Sequence, residues 1–238
     1  MNLSNIIGSG FIAKNFKSKN NFLKKNNCIL YAAGVSNSNN IDQSLFDKDF
    51  LRLKNIKILS KIKKIIYISS CSVTDPSRNK SLYLKKKIDN EKYIKKNFDK
   101  YLIIRLPEII GKNKNKNTLV NFFYYSIKNN REFILYKNAQ RNFIDINNII
   151  DILMEIILNR AVNKTINIAS PKMTNVFYIV NILEKILKKK ASISLKNKHN
   201  NNYKIDIKYI KNLISFKKIN FNEKYLINKL RKYKNENI

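Results

Sequence analysis

The stretch that most limits what this chain can fold into is Ile65-Ile66-Tyr67-Ile68-Ser69-Ser70. It is a β-branched and aromatic run, too short for a buried helix, and it stops in two small hydroxyl residues. Such a run, apolar toward both faces, reads as a strand inside a parallel sheet. Parallel strands need crossover connections, usually helices, and the flanks supply them. Phe46, Phe50, Leu53, Ile56 and Leu59 recur at helical spacing between Asp42 and Lys63, and Ser81 could cap a helix beginning near Tyr83. Tyr83 follows Ser70 by thirteen residues, and Lys87 and Glu91 follow at steps of four, so the three share one helix face. A hydroxyl at a strand's carboxyl end, facing a Tyr and a Lys one turn apart, is an arrangement suited to moving a proton to or from an alcohol.

Leu3 to Ile7 is a second short strand, running into Gly8-Ser9-Gly10-Phe11-Ile12-Ala13 and a helix from Lys14 to Asn20. G-x-G-x-x-A between a strand and a helix is the context in which this pattern holds a dinucleotide's diphosphate. Gly8 permits the tight turn, Gly10 lets the anion approach the backbone, and Ala13 lets the helix lie close on the strand. An acidic residue for the adenosine ribose is expected about 20 residues on. None precedes Asp42, and Cys28 to Ala33 already reads as the next strand. The second and third strands are therefore either missing or collapsed into Phe22 to Asn27. Lys14, Lys17 and Lys19 tilt the cofactor from NAD toward NADP through a 2′-phosphate; as ordinary surface lysines they would carry no such meaning.

The alternation continues. Tyr101 to Arg105 is a strand closed by Leu106-Pro107-Glu108, and Thr118 to Asn129 is a helix. Glu132 to Tyr136 is a short strand, and Arg141-Asn142-Phe143-Ile144-Asp145 precedes an amphipathic helix through Leu158. Thr165 to Ala169 is the last strand of the main sheet, Val176 to Leu187 a further helix, and Ile210 to Tyr233 a mixed helical tail. The expected fold is α/β: a Rossmann-like parallel sheet with helices on both faces, its second and third strands abbreviated, plus a small, mostly helical substrate lobe. Residues 1–113 and 142–170 form the dinucleotide-binding core in this reading, and 114–141 and 171–238 the lobe.

Composition excludes less than it suggests. A net charge of +32 on 238 residues would ordinarily announce nucleic acid. Here the lysines are spread from end to end among Asn and Ile, without an aromatic-interleaved stripe, and Arg is scarce, so a solvated basic surface is the preferred reading. Cys28 and Cys71, the two cysteines, sit in apolar runs and read as buried free thiols, not a disulfide framework. His199, the single histidine, lies in a polar His199-Asn200-Asn201-Asn202 loop with no ligand-spaced partner, so no metal site is expected. No run is long enough to span a membrane, which points to a cytoplasmic protein.

Tyr-x-x-x-Lys occurs three times, at Tyr83–Lys87, Tyr124–Lys128 and Tyr225–Lys229, but only the first follows a strand ending in Ser-Ser. Taken in order, six features resemble the extended short-chain dehydrogenase/reductases. These are the Gly-Ser-Gly-Phe-Ile-Ala start, Leu-Tyr-Ala-Ala, Tyr-Ile-Ser-Ser-Cys-Ser-Val with Tyr83…Lys87…Glu91, Ile-Arg-Leu-Pro-Glu-Ile-Ile-Gly, Arg-Asn-Phe-Ile-Asp-Ile and Thr-Ile-Asn-Ile-Ala. That family comprises NAD(P)-dependent epimerases, dehydratases and reductases of nucleotide sugars, and the similarity runs from Leu3 to about Leu187.

The resemblance implies that Tyr83 is the general acid/base while hydride passes to or from the nicotinamide. Lys87 would favour the Tyr83 phenolate and hold the nicotinamide ribose, and Ser70 would bond the substrate oxygen. Gly8, Gly10, Phe11 and Ile12 would wrap the diphosphate, Ala33 would line the cofactor, and Pro107 would lie beside the nicotinamide. Arg141 would grip the diphosphate of a nucleotide-sugar substrate. A role in surface polysaccharide biosynthesis and a homodimer are further expectations. The chain departs from the family in its shortened adenosine side, in Thr74-Asp75 where Tyr-Gly is usual, and in Asn147-Asn148 where Asp-Asp is common. An RNA-binding protein, or a catalytically silent regulatory subunit on the same scaffold, are the alternatives.

Overall fold

In the computed structural model, which describes residues 4–59, 63–76, 81–113, 115–197 and 203–235, strands and helices alternate as the sequence requires. β1 (Ile6–Ile7) leads into α1 (Phe11–Phe16), a 3-10 turn at Lys17–Lys19, α2 (Asn20–Lys25) and β2 (Cys28–Tyr31). α3 (Gln43–Leu59) crosses to β3 (Lys64–Ser70), and α4 (Leu82–Asn97) to β4 (Tyr101–Leu106). After β5 (Glu108–Ile110), α5 (Leu119–Lys128), β6 (Phe133–Tyr136), β7 (Gln140–Asp145) and α6 (Ile146–Leu158), the chain returns as β8 (Lys164–Asn167). β9 (Met173–Asn175), α7 (Val176–Leu187), β10 (Ile193–Lys196), α8 (Lys211–Phe216) and α9 (Lys224–Asn235) follow.

The main sheet has five strands in the order β1-β2-β3-β4-β8, every pair parallel. Its central strands are apolar toward both faces because both are covered. On β3, Ile66 and Ile68 join one core with Leu102 and Ile104 of β4 and Ile149 and Leu153 of α6. Ile65 and Tyr67, one residue out of phase, join a second core with Leu53 and Ile56 of α3 and Ile94 of α4. Each fully buried Leu or Ile contributes roughly 1.5–3 kcal/mol relative to exposure.

β1 and β8 are the edge strands of this sheet. Phe22 to Asn27 is the end of α2 and a turn through Asn27 at φ 51°, so the second and third strands are missing rather than collapsed there. The helix expected to run through Asn20 breaks at the 3-10 turn, where Asn20 Oδ1 accepts from Asn5 N–H (3.2 Å) and draws the chain toward β1.

Ser81 stands at the N-cap position of α4, but its hydroxyl donates to Ser38 O (3.4 Å) and does not cap. Arg141 to Asp145 is not merely the lead-in to α6. It is strand β7, parallel to β5 and antiparallel to β9, while β6 pairs in parallel with β10. Asp145 ends β7, is fully buried and caps α6 through Asn147 N–H (3.1 Å). Its other oxygen accepts from Tyr233 Oη (2.6 Å), and Lys229 Nζ lies 3.3 Å away, which fastens α9 to this corner.

Cys28 and Cys71 are buried free thiols. Among the described residues no helix is long and apolar enough to cross a membrane. The loop around His199 lies outside the described residues.

Candidate functional site

Parallel strands place their carboxyl ends on one edge, and there the sheet presents Gly8 after β1, Ala32 to Gly34 after β2, Ser70 at the end of β3 and Pro107 after β4. Gly8 has φ +129°, and a Cβ there would lie 2.5 Å from Ala32 O, so the turn tolerates no side chain. A Cβ at Gly10 would meet nothing within 4 Å, which leaves this backbone open. Phe11 aims its ring at Gly111 and packs with Ile12 on the larger core, so only their backbone can serve an anion. Ala33 packs on the second core, and Pro107 is half-buried between β4 and β5.

α4 buries the face Leu84, Lys87, Asn90, Glu91 and Ile94. Lys87 Nζ donates to Ile68 O (3.1 Å) and stands 5.1 Å from the centre of the Tyr67 ring and 5.8 Å from that of Tyr83. Tyr83 and Lys87 are thus brought together at the end of β3. Burial holds the Lys87 pKa below the ordinary lysine value, partly offset by Asp49 and then Glu91. Ser70 Oγ accepts from Ser72 N–H (3.2 Å) and caps the 3-10 turn Cys71–Thr74, against which α4 packs. That bond uses an acceptor site and leaves the hydroxyl proton for donation.

Arg141 is half-buried on β7, with Nη1 donating to Gln140 O (2.8 Å). The phenol of Tyr203 lies among Cys71, Ser72, Asp75 and Arg141, and burial above all pushes its pKa up to about 12. Tyr203 escapes the sequence reading, and it links the surroundings of Arg141 to the Ser70 turn. The Cys71 thiol is likewise pushed up to about 12, chiefly by burial, which makes it an inert packing residue.

The sequence reading also passes over Asp49. Tyr31 Oη donates to Asp49 Oδ1 (2.5 Å), and Asn90 Nδ2 donates to Tyr67 Oη (3.1 Å) and Asp49 Oδ2 (3.4 Å). Burial first, and then Asp49, raises the Tyr31 pKa; burial also raises that of Tyr67. The available signal was a carboxylate at helical spacing from Phe46, Leu53 and Ile56, on the apolar face of α3. Glu91, the end of the Tyr83–Lys87–Glu91 face, accepts from Ser69 Oγ (2.6 Å) and from Arg105 Nε (2.9 Å) and Nη2 (2.7 Å). It ties β3 and β4 to α4 behind the site.

No family model matches the chain, and no curated protein sequence does. Solved structures do match. UDP-glucose 4-epimerase of Thermus thermophilus, complexed with NAD, superposes at TM-score 0.68 with 10% identity, over 88% of this chain and 78% of that one. The dTDP-glucose 4,6-dehydratase of Bacillus anthracis, complexed with NAD, gives 0.69 and 15% over 96% and 79%. RMD of Pseudomonas aeruginosa, complexed with NADPH, gives 0.71 and 10% over 99% and 100%. The chain shares the fold of this epimerase and this dehydratase. It is the fold that the resemblance implied, and in it Gly8, Gly10, Ser70, Tyr83 and Lys87 all fall along the carboxyl edge of the five-stranded parallel sheet.

Proposed function

We propose that this protein is an NAD(P)-dependent oxidoreductase, epimerase or dehydratase acting on a nucleotide-linked sugar. The observation that carries this reading is the buried Lys87 amine, one turn from Tyr83 and under the strand end that bears Ser70, on the edge that also holds the Gly8–Gly10 turn.

The glycine turn fits a dinucleotide. Gly8 excludes side chains and Gly10 leaves backbone open, so a diphosphate has room to approach. A bound nicotinamide would supply or accept the hydride. Tyr83 would hold the proton that leaves or joins the sugar hydroxyl, and the cationic amine of Lys87 would favour its phenolate. Lys87 would also bond the nicotinamide ribose, and the Ser70 hydroxyl would donate to the substrate oxygen. Arg141 would grip the substrate's diphosphate with its planar fork. With the sheet ending at β1, the adenosine half lacks the strands that usually present a ribose carboxylate. Lys14 and Lys17, exposed on and after α1, favour NADP(H) over NAD(H). A cytoplasmic role in surface polysaccharide synthesis, as a homodimer, fits this substrate class.

Fluorescence titration with NADPH and NADH, followed by turnover assays on UDP-, dTDP- and GDP-sugars, tests the proposal. Both the parent protein and Tyr83→Phe should bind nucleotide, and the variant should lose at least about 10²-fold in turnover. Binding without turnover in the parent would point to a silent subunit. No nucleotide binding, together with RNA affinity falling steeply with salt, would replace the proposal with RNA recognition.

A further inference from the structure

We infer that Asp49 is a positioning residue for this site: its buried carboxylate faces the Lys87 amine across Gly34, keeps that amine charged and fixes its place under the sheet edge. The purpose assigned to it rests on the function proposed above; its action on Lys87 does not. A methyl group at Gly34 would lie 2.8 Å from Lys87 Nζ and 3.5 Å from Asp49 Oδ2. The two charged groups therefore close on one point, where the chain has no side chain. Asp49 and Lys87 are both buried, at 5% and 8% exposure, so bulk water does little to screen them.

Two carboxylates stand near Lys87, and their other partners tell them apart. Glu91 is bonded through both oxygens to the Arg105 guanidinium, so its charge is already matched. The donors to Asp49 are neutral, the Tyr31 phenol and the Asn90 amide, which orient the carboxylate without cancelling its charge. The remaining groups around the amine are the Tyr67 ring on β3 and the Tyr83 ring on α4. Arg52, on α3, acts on the Tyr31 phenol and is itself exposed, so water screens its charge. Among the described residues Asp49 makes no ion pair, so it is a negative charge that Lys87 faces. A charged Lys87 draws Tyr83 toward its phenolate, and a neutral one has no such effect.

The side-chain ammonium resonances of 15N-lysine-labelled protein, followed against pH, test this without substrate or cofactor. Lys87 is assigned by the signal lost in Lys87→Met. In the parent protein Lys87 should be charged at pH 7, and a neutral amine there would overturn the inference before any variant is made. Asp49→Asn should lower the Lys87 midpoint by about one pH unit or more, and Asp49→Glu should restore most of it. Gly34→Ala should move the Lys87 chemical shift while leaving the midpoint nearly in place. An Asp49→Asn midpoint equal to the parent's overturns the inference; should that variant not fold, a Gly34→Ala spectrum with an unmoved Lys87 signal does so instead. If the Asp49 effect appears but neither NADPH nor NADH binds, the positioning role stands and the proposed function falls. If nucleotide binds and the Lys87 midpoint ignores Asp49, only the positioning role falls.

Discussion

An ammonium withdrawn from water, as at Lys87, costs several kcal/mol unless its neighbours compensate. Lys87 has one carbonyl, Ile68 O, and the field of Asp49 and Glu91. Its folded pKa is depressed below the unfolded value, so between the two the unfolded chain holds a proton that the folded chain has released. The stability contribution of this group therefore improves as pH rises through that window and is unfavourable below it. Lys87→Met removes that cost but leaves the buried Asp49 carboxylate with the neutral donors Tyr31 and Asn90, so the unfolding free energy at pH 7 should fall by about 1–3 kcal/mol. Nucleotide affinity should fall at least about tenfold in the same variant. Urea unfolding alongside nucleotide titration checks both, and a stability loss with affinity intact would make Lys87 a structural residue. Tyr83 and Lys87 were legible as a pair because helical spacing is local. Asp49 was not, since its partners Tyr31 and Asn90 lie 18 and 41 residues away.

Among the elements, β7 and α9 depend on each other through one carboxylate. Asp145 accepts from Tyr233 Oη and Asn147 N–H, and Tyr225 Oη takes the Asp145 N–H (2.9 Å) while donating to Asn148 Oδ1 (2.8 Å). Tyr233→Phe should lower the unfolding free energy by about 1–3 kcal/mol, because it strips a donor from a fully buried carboxylate. Thermal or urea unfolding measures this, and an unchanged midpoint would mean that α9 is held by its apolar face alone. β7 escaped the sequence reading for a related reason. Asn142, Phe143, Ile144 and Asp145 are all buried, so the run reads polar, apolar, apolar, polar and has no exposed face to give a period of two. β5, β9 and β10, of three or four residues each, carry too little pattern to stand out. By contrast, β3, α3, α6 and α7 stood out, because long apolar periodicity is a property of the element itself.

For the molecule as a whole, the parallel sheet followed from strand-helix alternation, while the short interval between Gly10 and Cys28 left the second and third strands either missing or collapsed, and only the sheet itself shows them missing. What alternation does not encode is where the smaller sheets β5-β7-β9 and β6-β10 lie, since their pairings join distant segments. The charge of +32 likewise concerns the surface and not the fold. The site depends on several strand ends meeting at one edge, so the most direct measurement is a crystal structure of the protein with NADPH or NADH bound. Diphosphate oxygens over Gly10, nicotinamide ribose hydroxyls within hydrogen-bond reach of Lys87 Nζ, and the nicotinamide ring facing Tyr83 are expected. A nucleotide seated away from that edge, with Lys87 still buried and out of its reach, would contradict the proposed function.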